Sequence, residues 1–261
     1  MVEFVKFLLF FKVDEDPELY ELICENICKK IQYFTTDEML TVLVNLSQTL
    51  SPAVHEVFEV ANLELVERLD NNYDPMSSDL FIQPEDLIKI ANTLLDHSQM
   101  KANLKQQMIE YIEQEHMTFS YEILSELAVV YALKMDDTYR KMFFSKLRMR
   151  FIKEIEFLND ETLYKILWAF FKAKAITIQT SNPEWQAIKE ILVKKSKDIG
   201  PKVLTDILVI ATTEEREAGS AVTDNDLFTQ IESDVILKMK EMNLDDLINL
   251  LWSALEIGKG S

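Results

Sequence analysis

The chain has 261 residues, 48% apolar and 10% aromatic, ample for an extended core and at odds with global disorder. Four glycines and six prolines are too few for a Gly-loop enzyme, a Rossmann fold or a β-sandwich, and suit an all-helical protein. A net charge of −18 argues against a surface built mainly to grip nucleic acid, because phosphate binding draws on basic side chains.

The start, MVEFVKFLLFFKVDEDPE, has a short apolar stretch interrupted by Lys6, with Glu3 ahead of it and no small-residue cleavage site after it. It reads as a first buried helix rather than a signal peptide. No run reaches the roughly 18 apolar residues that cross a bilayer, so no transmembrane segment is expected. Cys24 and Cys28 share one helix face at i, i+4, and two thiols alone do not make a tetrahedral metal site. They read as reduced cysteines packed as small hydrophobes, in a reducing intracellular compartment. His55 and Glu59 share a face in the same way and read as a surface pair.

From residue 36 onward the chain repeats. Six segments align on a leucine: Leu40, Leu87, Leu124, Leu163, Leu204 and Leu247. Three residues on stand Leu43, Ile90, Leu127, Ile166, Ile207 and Leu250, and four on stand Val44, Ala91, Ala128, Leu167, Leu208 and Leu251. Apolar residues at offsets 0, 3 and 4 line one face of an α-helix, so each segment is an A helix. Thr36, Asn159 and Asn243 suit its N-cap, and Pro84 and Pro201 its first turn. Phe34, Phe119, Phe157 and Met242 precede it as turn-closing apolar residues. Trp168 and Trp252 occupy the fifth offset in ETLYKILWAFFKAK and DDLINLLWSALEIG, and read as core residues that fill gaps between units.

Partner B helices are expected over about 18–33, 53–70, 101–115, 137–155, 183–198 and 224–241, with Phe143, Phe144, Leu147 and Phe151 on one side of the fourth. Polar, turn-rich stretches at 71–82 and 213–224 read as exposed loops. The fold class expected is therefore all-α: an α-solenoid of about six antiparallel helix pairs, in units of roughly 37–47 residues, forming a single domain over 1–261.

Charge is uneven along the array. Residues 1–135 hold 9 basic and 24 acidic side chains, 136–198 hold 13 and 9, and 199–261 hold 5 and 12. The basic island contains Arg140, Lys141, Lys146, Arg148, Arg150 and Lys153, with Lys194, Lys195 and Lys197 about one repeat later. Lys146, Arg150 and Lys153 fall within about 60° of one another on a helical wheel. The stripe is the candidate contact for an acidic partner, anionic lipid or RNA phosphate, weighed against a solvated face that offsets neighbouring acids.

No phosphate-cradling glycine pattern, HExxH or nucleophile elbow occurs, and GKGS at 258–261 lacks the upstream glycine of a P-loop. A non-catalytic protein without metal or cofactor is expected.

The apolar turn residue, polar cap and L-x-x-[IL]-[LA]-W-[AS] box, clearest at 157–176 and 243–258, resemble the heptatricopeptide and FAST-kinase-like helical repeats and the related octotricopeptide arrays. The resemblance implies an α-solenoid from a family whose members mostly work on RNA in mitochondria or plastids, with some relatives in large organellar assemblies; the expectation here is a mitochondrial one, either among other protein subunits of a respiratory or ribosomal assembly or on organellar RNA. RNA-handling members of the family tend to be basic, and many end in a compact α/β domain. This acidic chain, whose last element reads as an A helix, departs from both habits, so a scaffold or accessory subunit is the first expectation and RNA binding the alternative.

Overall fold

The computed structural model describes residues 17–47, 52–70, 82–115, 118–176, 182–217 and 227–256. Among these residues there are twelve α-helices and no strand. They are α1 (Pro17–Lys30), α2 (Thr36–Leu46), α3 (Pro52–Asp70), α4 (Pro84–Asp96), α5 (Ala102–Glu115) and α6 (Tyr121–Lys134), followed by α7 (Asp137–Glu154), α8 (Asp160–Lys172), α9 (Pro183–Lys195), α10 (Pro201–Glu217), α11 (Leu227–Lys238) and α12 (Leu244–Glu256). The even-numbered helices are the A helices and the odd-numbered ones the B helices. The apolar start, residues 71–81 of the first expected loop and GKGS lie outside the described residues. The second expected loop is partly helical: α10 continues through Glu217, and 218–226 lie outside the described residues.

The chain divides into two compact units, residues 1–123 and 124–261, with the division inside the first turn of α6. In the first unit α1 packs on α3 and α3 on α5, while α2 packs on α4. In the second unit α7 packs on α9 and α9 on α11, while α8 packs on α10 and α10 on α12. Within each unit these pairs stack A on A and B on B. This is the solenoid-like arrangement the repeat requires, since no hairpin buries both faces of its helices alone.

The A-helix starts follow one rule. The residue before the N-cap is apolar and buried in all six: Phe34, Ile82, Phe119, Leu158, Ile199 and Met242. It closes the entry turn as a hydrophobic staple does. Two sequence expectations shift by one residue here. The cap of α2 is Thr35, whose side chain accepts from Glu38 N while Glu38 accepts from Thr35 N at 3.0 Å. Thr36 is the first helical residue. Before α8 the slot belongs to Leu158, and Phe157, in a 3-10 turn, is 76% exposed. Asn159 and Asn243 cap α8 and α12, accepting from Thr162 N and Asp246 N at 2.9 Å each.

The cap positions also correct the first repeat. Counted from the cap, the residue equivalent to Leu87 and Leu163 is Met39, not Leu40. Met39, Val42 and Leu43 are all buried, and Val44 is 42% exposed because it stands one place off the core face. In α4, α6, α8 and α10 every position at offsets 0, 3 and 4 is buried. Trp168 and Trp252 are half-buried rather than core, as are the residues at their offset on α4, α6 and α10. The core of the second unit is carried by other rings. Tyr131 stacks on Phe143 at 4.3 Å, and Phe144 and Phe151 meet Phe170 edge-on at 5.2 and 5.4 Å.

Side-chain tethers join successive hairpins on the B side. Arg68, at the end of α3, donates from Nη2 to the Phe34 carbonyl at 2.8 Å, beyond the 3-10 turn that ends α1. Lys195, at the end of α9, donates to the Glu156 and Leu158 carbonyls at 2.8 and 2.7 Å, around the turn that ends α7. Lys238, at the end of α11, donates to the Lys197 carbonyl at 2.7 Å. Each reaches back one repeat and satisfies carbonyls that a helix end leaves open. Buried Asn62 pins the α4–α5 connection, donating to Gln99 O at 3.0 Å and accepting from Lys101 N at 2.9 Å.

Candidate functional site

Two surfaces stand out in the second unit, one charged and one apolar. The charged one lies on α7. Asp136 caps this helix, and Phe143, Phe144, Leu147 and Phe151 all turn into the core. The basic residues between them are distributed over the remaining surface and do different things. Arg140 pairs with Asp137. Arg150 donates from Nε to Glu154 at 3.0 Å and is nearly buried. Arg148 Nε lies 3.1 Å from Glu184 of α9, an ion pair without an aligned hydrogen bond. Lys195 serves as the tether described above. Lys141, Lys146 and Lys153 on α7, and Lys194 and Lys197 around the end of α9, are exposed. Thus the arginines are drawn into carboxylate pairs, and the lysines carry what net positive field remains.

A cleft of about 270 Å³ brings Lys141 and Arg148 together with Ser145 and Phe144 of α7 and Ala173–Ala175 after α8. Lys174, which the sequence reading did not single out, completes its basic lining. Its backbone is left-handed, with φ 51°. Lys174 N donates to Phe171 O and Ala175 N to Phe170 O, both at 2.9 Å, which makes it the residue after the cap in a Schellman turn. Ser98, φ 53°, ends α4 in the same way, with Ser98 N on Leu95 O and Gln99 N on Leu94 O. Glycine is the usual residue at this position.

The apolar surface is on α12. Each stacked A helix has two contact faces. On α10 the face built from Thr205, Leu208 and Thr212 is buried, and Thr205 Oγ1 lies 3.9 Å from Met242 Sδ at the entry to α12. On α8 the equivalent Leu167 and Phe171 are buried. On α12 the backward face, Asp246, Leu250 and Ser253, is buried toward α10. The forward face is not: Leu244, Ile248, Leu251 and Leu255 are 71, 55, 57 and 53% exposed. Their spacing of 4, 3 and 4 sets them on one stripe of the helix, with half-buried Trp252 alongside. Only Leu251 of these four belongs to the repeat signature. The signal for the rest was that α12 is apolar around more of its circumference than one packed face uses.

Around this stripe the polar residues of α12 are Asp245, Asn249 and Glu256, and the helix contains no basic residue. Asp206 of α10 stands near Asp246. Burial, and secondarily the Asp246 charge, hold its carboxyl above the usual range against the opposing pull of Lys202. The α12 end of the unit is therefore acidic as well as apolar.

Elsewhere, His55 Nε2 lies 3.3 Å from Glu59 on exposed side chains, and Lys101 also pairs with Glu59. Cys24 is buried and Cys28 half-buried, both as free thiols. Burial, then the Cys28 thiol and neighbouring glutamates, push Cys24 up to about 11. Among the described residues no group of three His, Cys, Asp or Glu is placed to hold a metal ion, and no helix is long and apolar enough to cross a membrane. No family model, curated protein or solved structure matches the chain.

Proposed function

We propose that the chain is a non-catalytic helical-repeat scaffold, an accessory subunit that docks a protein partner on the forward face of α12. The observation that carries this reading is the exposure of Leu244, Ile248, Leu251 and Leu255 at positions whose equivalents on α8 and α10 are mostly covered by the next A helix. A contiguous apolar face of this kind, rimmed by polar residues, is a mark of an interaction surface. The sequence's resemblance to organellar helical repeats supports a mitochondrial assembly, a respiratory or ribosomal complex, as part of this proposal. The test is cross-linking and affinity capture from cells with the wild type and with an Ile248→Asp/Leu251→Asp variant. At least one stoichiometric partner is retained by the first and lost from the second; partners unchanged by the substitutions would overturn the assignment.

The exposed lysines of α7 and α9 favour a second reading, RNA binding through the 136–198 island. It requires filter retention that falls steeply with salt and disappears in a Lys146→Glu/Arg150→Glu/Lys153→Glu variant. The pairing of Arg148 and Arg150 with glutamates leaves fewer free cations for phosphate than the residue count suggests.

A further inference from the structure

We infer that the occupant of the α12 face is an amphipathic helix carrying basic residues beside its apolar stripe. The inference rests on the docking reading above and adds the chemistry of the partner. Its shape follows from the stacking rule. On α10, the equivalent forward residues Thr205, Leu208 and Thr212 are covered by a helix, α12 itself. The α12 stripe repeats that surface with larger side chains, and no helix among the described residues lies over it. A partner helix of three to four turns matches the length of α12, about 20 Å at 1.5 Å per residue. Apolar side chains at i, i+3 or i+4 and i+7 would seat between Leu244, Ile248, Leu251 and Leu255, with Trp252 as the aromatic wall.

Charge selects which amphipathic helix fits. Asp245, Asn249 and Glu256 border the stripe, and Glu241 is exposed in the 3-10 turn ahead of it, beside Lys240. A partner with Lys or Arg flanking its stripe gains Coulomb attraction and faster encounter at this end, whereas an acidic one meets like charge. The same rule works against a second copy of this chain. Two α12 stripes laid antiparallel set Leu244 of one against Leu255 of the other, which brings Asp245 beside the other copy's Glu256.

The test uses the full chain and two fluorescein-labelled synthetic helices of roughly 18 residues. Both carry the same leucine stripe; one has Lys and Arg on its flanks, the other Glu. Fluorescence anisotropy should show the basic peptide binding at least tenfold more tightly, with the difference shrinking as salt rises. Ile248→Ser/Leu251→Ser, exposed substitutions whose far-UV circular dichroism should match wild type, should weaken the basic peptide at least tenfold. A Lys146→Gln/Lys153→Gln variant should bind it unchanged. Equal affinity for the two peptides, or binding indifferent to the α12 substitutions, overturns the inference. So does a wild-type dimer in sedimentation velocity that Ile248→Ser/Leu251→Ser dissociates, because the occupant is then a second copy. If neither peptide binds while cellular partners still depend on α12, the docking reading survives and the basic-helix chemistry fails. If cellular partners are also indifferent to α12, both fail.

Discussion

Replacing Arg68 with methionine should destabilise the first unit by about 1–3 kcal/mol. The side chain is 4% exposed, and its Nε donates to Glu64 Oε1 at 2.8 Å while Nη2 donates to the Phe34 carbonyl at 2.8 Å. Methionine keeps much of the aliphatic stem and removes the charge, and it also removes the buried Nη1, which has no hydrogen-bond partner, a gain of about 1 kcal/mol that offsets part of the loss. A hydrogen bond from a charged donor to a buried carbonyl contributes about 1.5–3 kcal/mol. The orphaned Glu64 adds less than a fully buried charge would, because at 15% exposure it retains a path to water. Lys195→Met at the equivalent position of the second unit should lose only about 1 kcal/mol or less, since Lys195 is half-exposed and its carbonyls can turn to water. Urea unfolding separates the two. All three tryptophans, Trp168, Trp185 and Trp252, lie in the second unit, so fluorescence follows that unit while far-UV circular dichroism follows both. An Arg68→Met loss below about 0.5 kcal/mol, or one no larger than that of Lys195→Met, would refute the view that burial of the tether sets its strength.

Other expectations follow from single positions. Lys174→Gly should stabilise the second unit by about 0.5–1 kcal/mol by relieving a left-handed backbone, read as a later fluorescence transition in urea; a lower midpoint would mean that the lysine side chain outweighs the strain. Tyr131→Phe should raise stability by about 1 kcal/mol, because the hydroxyl is buried without a hydrogen-bond partner among aromatic rings; a loss above that size would reveal a bond to the oxygen. Iodoacetamide at pH 8 should label Cys24 more slowly than Cys28, followed by mass spectrometry of the folded chain, since burial suppresses the reactive thiolate. The same shift has a defined sign in stability. The unfolded thiol ionises near 9 and the folded one near 11, so the unfolded state releases its proton first and stability falls between those values. Cys24→Ala should flatten that part of the pH dependence.

The helices were readable because both periods in the chain agree. Apolar residues at 0, 3 and 4 locate each A helix, and the near-40-residue recurrence locates the B helix between them. What escaped was a matter of one residue or one partner. In TTDEML, both threonines suit a cap and both Met39 and Leu40 suit an anchor, and only the bond from Glu38 N to Thr35 decides. In FLND, phenylalanine is the more obvious staple, yet the 3-10 turn points Phe157 outward and Leu158 inward. The basic island was legible as a count but not as a surface, because the Glu184 that takes up Arg148 comes from α9, whereas Arg150 pairs with Glu154 on its own helix, four residues on. The α12 face was the least visible. Its leucines look like those of every other A helix, and only the packing reveals that no helix among the described residues lies on them.

The back-reaching tethers give the stack a direction. Every one is donated by a later hairpin to the carbonyls of an earlier one, through Arg68, Lys195 and Lys238. When a trailing hairpin opens, its predecessor is left with bare carbonyls at a helix end, whereas a leading hairpin that opens merely returns an ammonium or guanidinium to water. Fraying within the second unit should therefore spread more readily toward the amino terminus than away from it, whereas in the first unit the forward bond from Asn62 to the Gln99 carbonyl works the other way. Hydrogen exchange would register this polarity as protection that declines in step along the B helices when the last of them is weakened.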